Sequence, residues 1–252
     1  DRLYQLPLGV IAIAIATVLL PELTRALRSK NHKETHNLQN RSIELTLLLT
    51  LPASVAFLIL STPIVSLLFE RGQFTSLSTH YVAQLLKLYG LGLPAFVLIK
   101  IFIPNFFAHE DTKTPMIITG ICVFINISLA LILFPILSAR GIVIAEITSG
   151  WMNALLLWTI LIQRGYWKYD IQLIKRITCL IITTLLNTIA LYYVFDVIDF
   201  LSFPLSSQAS FFLRASTLAG IMVAILLVHC FAYFLLDTRS FFLTLKNFKK
   251  RL

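Results

Sequence analysis

Residues 115–134 read PMIITGICVFINISLALILF. The stretch holds no charged side chain, and about 20 mostly apolar residues are what a helix needs to cross the hydrocarbon core of a bilayer. Its apolar residues cover every face of a helix, whereas a helix of a soluble bundle keeps one polar face. A strand of a membrane barrel would alternate with period two. Runs such as Leu45-Thr46-Leu47-Leu48-Leu49 and Ala224-Ile225-Leu226-Leu227-Val228 do not alternate.

Working outward, six further runs have the same character: Leu3–Leu20, Ile43–Leu60, Tyr81–Ile103, Ile142–Ile162, Ile174–Phe195 and Phe211–Leu236. The whole chain of 252 residues is 58% hydrophobic and 13% charged. Soluble domains average about 25% charged residues, so an ordinary globular protein is excluded. The chain is read as an all-α membrane protein of about seven transmembrane helices. Lys87, Gly90, Gly92 and Pro94 interrupt the third run. Gly90, Gly92 and Pro94 are the candidate bend of that helix, because proline removes a backbone donor.

Between the runs lie polar connections. Residues Arg25 to Arg41 are expected to form a loop, as are Pro104 to Pro115 and Asp196 to Ser210. Ser138 to Gly141 is expected as a tight turn. Glu70 to Thr75 is read as a helix end and glycine turn, with a capped restart near Ser76–Ser78. In the basic stretch Gln163 to Arg176, Tyr166, Trp167 and Tyr169 are aromatic residues suited to the headgroup level.

The net charge is +9. On a membrane chain this points to basic loops facing the cytoplasm and anionic lipid, and away from nucleic acid. One set of alternate loops carries Arg25, Arg28, Lys33, Arg41, Arg164 and Lys168 and leads to the basic tail. The other carries Arg2, Arg71, Arg140 and Arg214, with Lys87 in or near a span. The first set is therefore placed inside, which puts Leu252 in the cytoplasm. The chain starts at Asp1 with no secretory signal pattern, and reads as the later part of a longer membrane protein.

No nucleotide-binding loop, serine-hydrolase elbow or zinc motif occurs. Cys122, Cys179 and Cys230 are odd in number, far apart and set in apolar runs, so no disulfide framework follows. His32 and His36 lack a third ligand and read as a solvated loop. Neither a metal nor a cofactor is expected. The informative residues are charges in or beside spans, which are costly and tend to face a cavity or a partner. Arg2, next to Asp1 at the head of the first run, leads, and reads either as a group facing a cavity or as a snorkelling interface arginine paired with Asp1. Glu146 in the fifth run either lines a polar cavity or bonds between helices. Lys100 and Arg214, near span ends, read as snorkelling. Asn126 reads as interhelical glue.

Several segments together resemble one family. Asp1-Arg2-Leu3-Tyr4-Gln5-Leu6-Pro7-Leu8-Gly9 and Thr17-Val18-Leu19-Leu20-Pro21 resemble the eighth helix of the MurJ (MviN) lipid II flippases. Leu68-Phe69-Glu70-Arg71-Gly72-Gln73-Phe74-Thr75 is similar to that family's L-F-x-x-G-x-F-T segment. Lys100 to Pro104, followed by Asp111-Thr112-Lys113-Thr114-Pro115, resembles its K-x-x-x-P and D-T-K-T-P elements. Asn105, Phe107, His109 and Glu110 depart from the more usual Gly, Tyr, Arg and Gln between those elements.

The resemblance implies helices eight to fourteen of a fourteen-helix protein of the bacterial inner membrane. Residues 1–163 would be a partial second lobe of a two-lobe flippase, and 164–252 two extra C-terminal helices with a basic tail. It implies lipid II as substrate, membrane lipids and the missing N-terminal half as partners, and alternating access as mechanism. It also implies that Arg2 binds the substrate pyrophosphate, where Asp1 could orient it; Gln5, Glu146 and Asn126, read from their place in the spans, are the candidate cavity or helix-packing polar groups. A drug/cation antiporter or another polysaccharide-lipid flippase of the same superfamily is the alternative within transport. A membrane-embedded enzyme acting on a lipid carrier, or a scaffold subunit, is the alternative outside it.

Overall fold

The computed structural model describes residues 2–29, 31–168, 170–197 and 211–236. Seven helices follow one another among them: α1 (Arg2–Arg28), α2 (His32–Phe69), α3 (Ser76–Ala108), α4 (Lys113–Leu137), α5 (Ala139–Gln163), α6 (Ile171–Val197) and α7 (Phe211–Leu236). Helices α2 to α7 are each long and apolar enough to cross a membrane. Helix α1, with 27 residues, contains the remaining apolar run.

The helices outrun their apolar stretches. Helix α1 continues to Arg28 and α2 already starts at His32, so most of the expected loop from Arg25 to Arg41 is helical. Hydrophobicity marks where a helix enters lipid, whereas the backbone hydrogen bonds continue into water. At 38 residues α2 is about 57 Å long, well beyond the ~30 Å hydrocarbon core. Its start is fixed by Asn31, whose side chain accepts from the Glu34 N–H and donates to the Glu34 carboxylate at 2.9 Å. The first bond satisfies a backbone donor at the helix start, where no intrahelical acceptor exists, and the second holds the two side chains together. Likewise α3 continues through Pro104 to Ala108, and α4 starts at Lys113.

The centre of the bundle is the α2–α3 pair, with α1 against both. Along α2, Ser42, Thr46, Thr50 and Ser54 form a buried stripe one turn apart. Each hydroxyl donates to the carbonyl four residues back, at 2.6 to 2.9 Å. Hydroxyls satisfied within their own helix can face a neighbour without an unpaired polar atom, and small residues let backbones approach. Gly90 of α3 uses that closeness: a methyl group there would stand 3.0 Å from Phe57 Cβ and 3.1 Å from the Ser54 carbonyl oxygen.

Helix α4 pairs with α5, and α5 packs on α3, while α6 and α7 lie on α2. Much of α4 is open: Met116, Ile117, Phe124, Leu131 and Ile132 are all exposed.

At the end where α2 begins and α3 ends, a polar hub ties four segments together. Gln39, fully buried, donates to Asn105 Oδ1 at 2.9 Å and to the Tyr166 carbonyl at 2.8 Å. The His109 ring stacks on Tyr166 with centroids 4.0 Å apart. Trp167 does not sit as an interface anchor. It is 3% exposed, donates to Asn40 Oδ1 at 2.9 Å and stacks on Trp158. The loop after α5 folds back over α2 and α3, and the indole is large enough to close that junction. Tyr169 lies outside the described residues.

Asp111 pairs with Arg164 and accepts from the Thr114 N–H at 3.1 Å, which holds the start of α4 to the end of α5. Partial burial works against its charge, but the Thr114 hydrogen bonds and Arg164 outweigh it and hold the carboxyl below its usual range. A carboxylate with a depressed value stabilises the fold above its unfolded pKa, and that contribution disappears as pH falls through the folded value. Asp111→Asn in the full-length protein is thus expected to lower the melting temperature at neutral pH. The gap from the parent should close in acid. A gap that stays constant between pH 7 and pH 3 would show that Asp111 contributes no charge-dependent stability.

Candidate functional site

Three helices meet at Glu146. The carboxylate lies on α5, half-buried, and accepts from the Tyr4 hydroxyl of α1 at 3.0 Å on Oε1. It also accepts from the Tyr89 hydroxyl of α3 at 2.7 Å on Oε2. The two tyrosines, each 7% exposed, are stacked with ring centroids 4.2 Å apart and planes 13° from parallel. Both carboxylate oxygens thus hold donors from different helices.

Phe96 of α3 closes the junction from below, 5.7 Å from the Tyr4 ring. Its own ring is lodged between Gly92 and Gly150. A methyl group on Gly92 would approach it to 2.8 Å and one on Gly150 to 2.5 Å. Gly90 and Gly92 are therefore places of close approach to α2 and α5. Helix α3 runs without a break through Gly90, Gly92 and Pro94.

Of the other residues singled out from sequence, Arg2 is the first residue of α1, two positions before Tyr4 and on the same helical turn. Asp1 lies outside the described residues. Gln5 is exposed, and Asn126 is half-buried on α4. On α1, Leu6, Val10 and Ile13 form an open face. Toward the other end of the helix, Pro21, Thr24, Arg25 and Arg28 line an open cleft. Arg214 does not simply snorkel, since it donates to Ser66 Oγ of α2 at 2.5 Å.

A second charged cluster joins α2, α6 and α7. Glu44 is 8% exposed and accepts from Arg176 of α6 at 2.7 Å and from the Tyr233 hydroxyl of α7 at 2.6 Å. Sequence reading placed Arg176 among loop cations and passed over Glu44. A carboxylate at the head of an apolar run, with an arginine at the head of another, was the available signal.

A family model described as "Lipid II flippase MurJ" matches residues 1–205. A probable lipid II flippase MurJ of Rhizobium meliloti is 59% identical over 229 residues, 91% of this chain and 42% of its own length. The chain belongs to the MurJ lipid II flippase family. A MurJ-family relative in Rickettsia prowazekii is 40% identical over 159 residues, 63% of this chain and 31% of its own. A solved lipid II flippase MurJ in an inward closed conformation superposes with a TM-score of 0.70 at 24% identity, covering 92% of this chain and 45% of its own. The chain thus spans less than half the length of these MurJ relatives. Two of the four positions that depart from the family pattern have structural roles here: Asn105 receives Gln39, and His109 stacks on Tyr166.

Proposed function

We propose that this chain is the C-terminal part of a flippase that carries lipid II from the inner to the outer leaflet of the bacterial inner membrane, by alternating access. The observation that carries this reading is the family match across residues 1–205, joined to an arginine at the head of the first apolar helix. In this reading residues 1–163 form part of one lobe. Residues 164–252 add two helices and a cytoplasmic tail, an orientation supported by the excess of Lys and Arg on that side. The protein acts as a transporter and makes no covalent change to its substrate.

Arg2 is assigned to the pyrophosphate of the substrate, with Asp1 orienting it. A guanidinium offers a planar fork of donors that matches phosphate oxygens, and the attraction strengthens where a cavity is partly dry. The headgroup binds from the inside, the lobes rock, and release follows outside while the polyprenyl tail stays in lipid. Gln5, exposed one turn from Arg2, and Asn126 are the further polar groups assigned to the cavity or its walls.

The test uses the full-length parent in cells depleted of their own flippase, with lipid II exposure on the outer leaflet as readout. The parent is expected to restore exposure. Arg2→Ala at equal abundance is expected to lower its rate by about tenfold to a hundredfold, the worth of a charge-assisted hydrogen bond. Failure of the parent to expose lipid II would remove the substrate assignment. Full activity of the Arg2 variant would reduce that residue to an interfacial anchor.

A further inference from the structure

We propose that Glu146 is a positioning residue: through Tyr4 it fixes the first turn of α1, the turn that carries Arg2, against α3 and α5. The inference rests on the assignment of Arg2 to the substrate phosphate. Tyr4 and Arg2 are two residues apart on a helix of 3.6 residues per turn, so a displacement of one moves the other. Tyr4 is held on two sides. Its ring is stacked on Tyr89, and its hydroxyl is bound to Glu146 Oε1.

Glu146 cannot swing to follow α1, because Tyr89 occupies its other oxygen at 2.7 Å. Tyr89 in turn is fixed by the tight seating of α3: Gly90 lies on α2, and Phe96 fills the slot between Gly92 and Gly150. The junction therefore refers the position of Arg2 to the α3–α5 pair. A hydrogen bond to a charged acceptor is strong and directional in a low-dielectric setting. A charge this far into a span costs free energy, so interhelical packing alone would be better served by an apolar residue. Positioning a phosphate-binding arginine gives the carboxylate a role that packing does not.

Tyr4→Phe is the informative variant, since it keeps the stacked ring and removes only the hydroxyl. In full-length protein reconstituted in nanodiscs, it is expected to weaken lipid II binding on the order of tenfold, with a loss of melting temperature no larger than that of Tyr89→Phe, which likewise removes one donor from Glu146. The Arg2→Ala, Tyr4→Phe double variant is expected to bind no worse than Arg2→Ala alone, because both act through one contact. Tyr89→Phe, which leaves the Tyr4 bond in place, is expected to have the smaller effect on binding. A cysteine at Leu6, in an otherwise cysteine-free protein, reports the helix itself. Its reaction rate with a water-soluble maleimide should change severalfold in Tyr4→Phe.

Parent-like binding and labelling in Tyr4→Phe would overturn the proposal, and so would losses that multiply in the double variant. If Arg2→Ala binds like the parent while Tyr4→Phe still alters labelling at position 6, the assignment of Arg2 fails and the anchoring of α1 by Glu146 stands.

Discussion

Changing Arg176 to Met in the full-length protein is expected to destabilise it by about 3 kcal/mol or more, the cost of leaving a buried charge without its partner. Glu44 has only 10% of its side chain exposed, and Arg176 has 24%, so water does little to screen the pair. Removing the guanidinium strands the Glu44 carboxylate with the Tyr233 hydroxyl as its one remaining donor in that cluster. Glu44→Gln should cost less, because the amide oxygen still accepts from Tyr233. Replacing both partners, with Glu44→Leu and Arg176→Met together, should return much of the loss, because no charge is then left unpaired. Melting temperatures of the parent, the single variants Glu44→Leu and Arg176→Met, and the double variant, all in detergent, give the cycle. A single Arg176 variant that melts with the parent, or a double variant as unstable as the single, would remove Glu44 and Arg176 as a stabilising pair.

The location of that loss matters as much as its size. The α6–α7 pair is joined to α2 at polar points: Glu44 with Arg176 and Tyr233, and Arg214 with Ser66. The two helices are joined to each other where Asn187 donates to the Ile225 carbonyl at 3.2 Å. Between lipid-facing helices there is no hydrophobic gain from association, because lipid tails are as apolar as the side chains they replace. Polar contacts and close packing must then hold α6 and α7 in place. The Arg176 variant should accordingly become more sensitive to protease in the segment between α5 and α6, before the rest of the chain unfolds.

How much of this was legible in the sequence depends on the range over which each property is encoded. The spans were legible because hydropathy is local: Pro115–Phe134 announces a membrane helix without reference to anything else. Helix ends were less so, since His32 to Arg41 are polar and still helical once Asn31 and Glu34 cap the start. Partners were not legible. Tyr4 and Glu146 are 142 positions apart and Tyr233 and Glu44 are 189 apart, so nothing local pairs them. Glu146 was singled out because a carboxylate within a span is costly, but its two donors came from tyrosines that look like ordinary membrane aromatics. Trp167 misled for the same reason: an indole beside lysines suits the headgroup level, and only the folded loop shows it buried against Trp158. Arg2 stood out as a charge at the head of an apolar run, and its role toward the substrate rests on resemblance.

The α4–α5 corner carries the other large effect. Gly141→Ala is expected to destabilise the full-length protein by about 2–3 kcal/mol, at the upper end of what one added methyl group costs in a packed site. The added carbon would stand 2.6 Å from the Leu133 carbonyl oxygen and 2.7 Å from its carbonyl carbon. Both are backbone atoms of α4, so no side-chain rotation relieves the clash, and the two helices must part. The approach is this close because a single residue joins them. Helix α4 ends at Leu137, α5 starts at Ala139, and Ser138 between them has φ +52. That conformation suits glycine better than serine, so Ser138→Gly is expected to have the opposite sign and to stabilise by about 1 kcal/mol. Two substitutions three residues apart, one removing a glycine and one adding it, should therefore shift the melting temperature in opposite directions. Equal tolerance of both would mean that α4 and α5 are not held in contact at Leu133 and Gly141. The sequence read Gly141 as the end of a tight turn, but what requires glycine there is a carbonyl on the neighbouring helix.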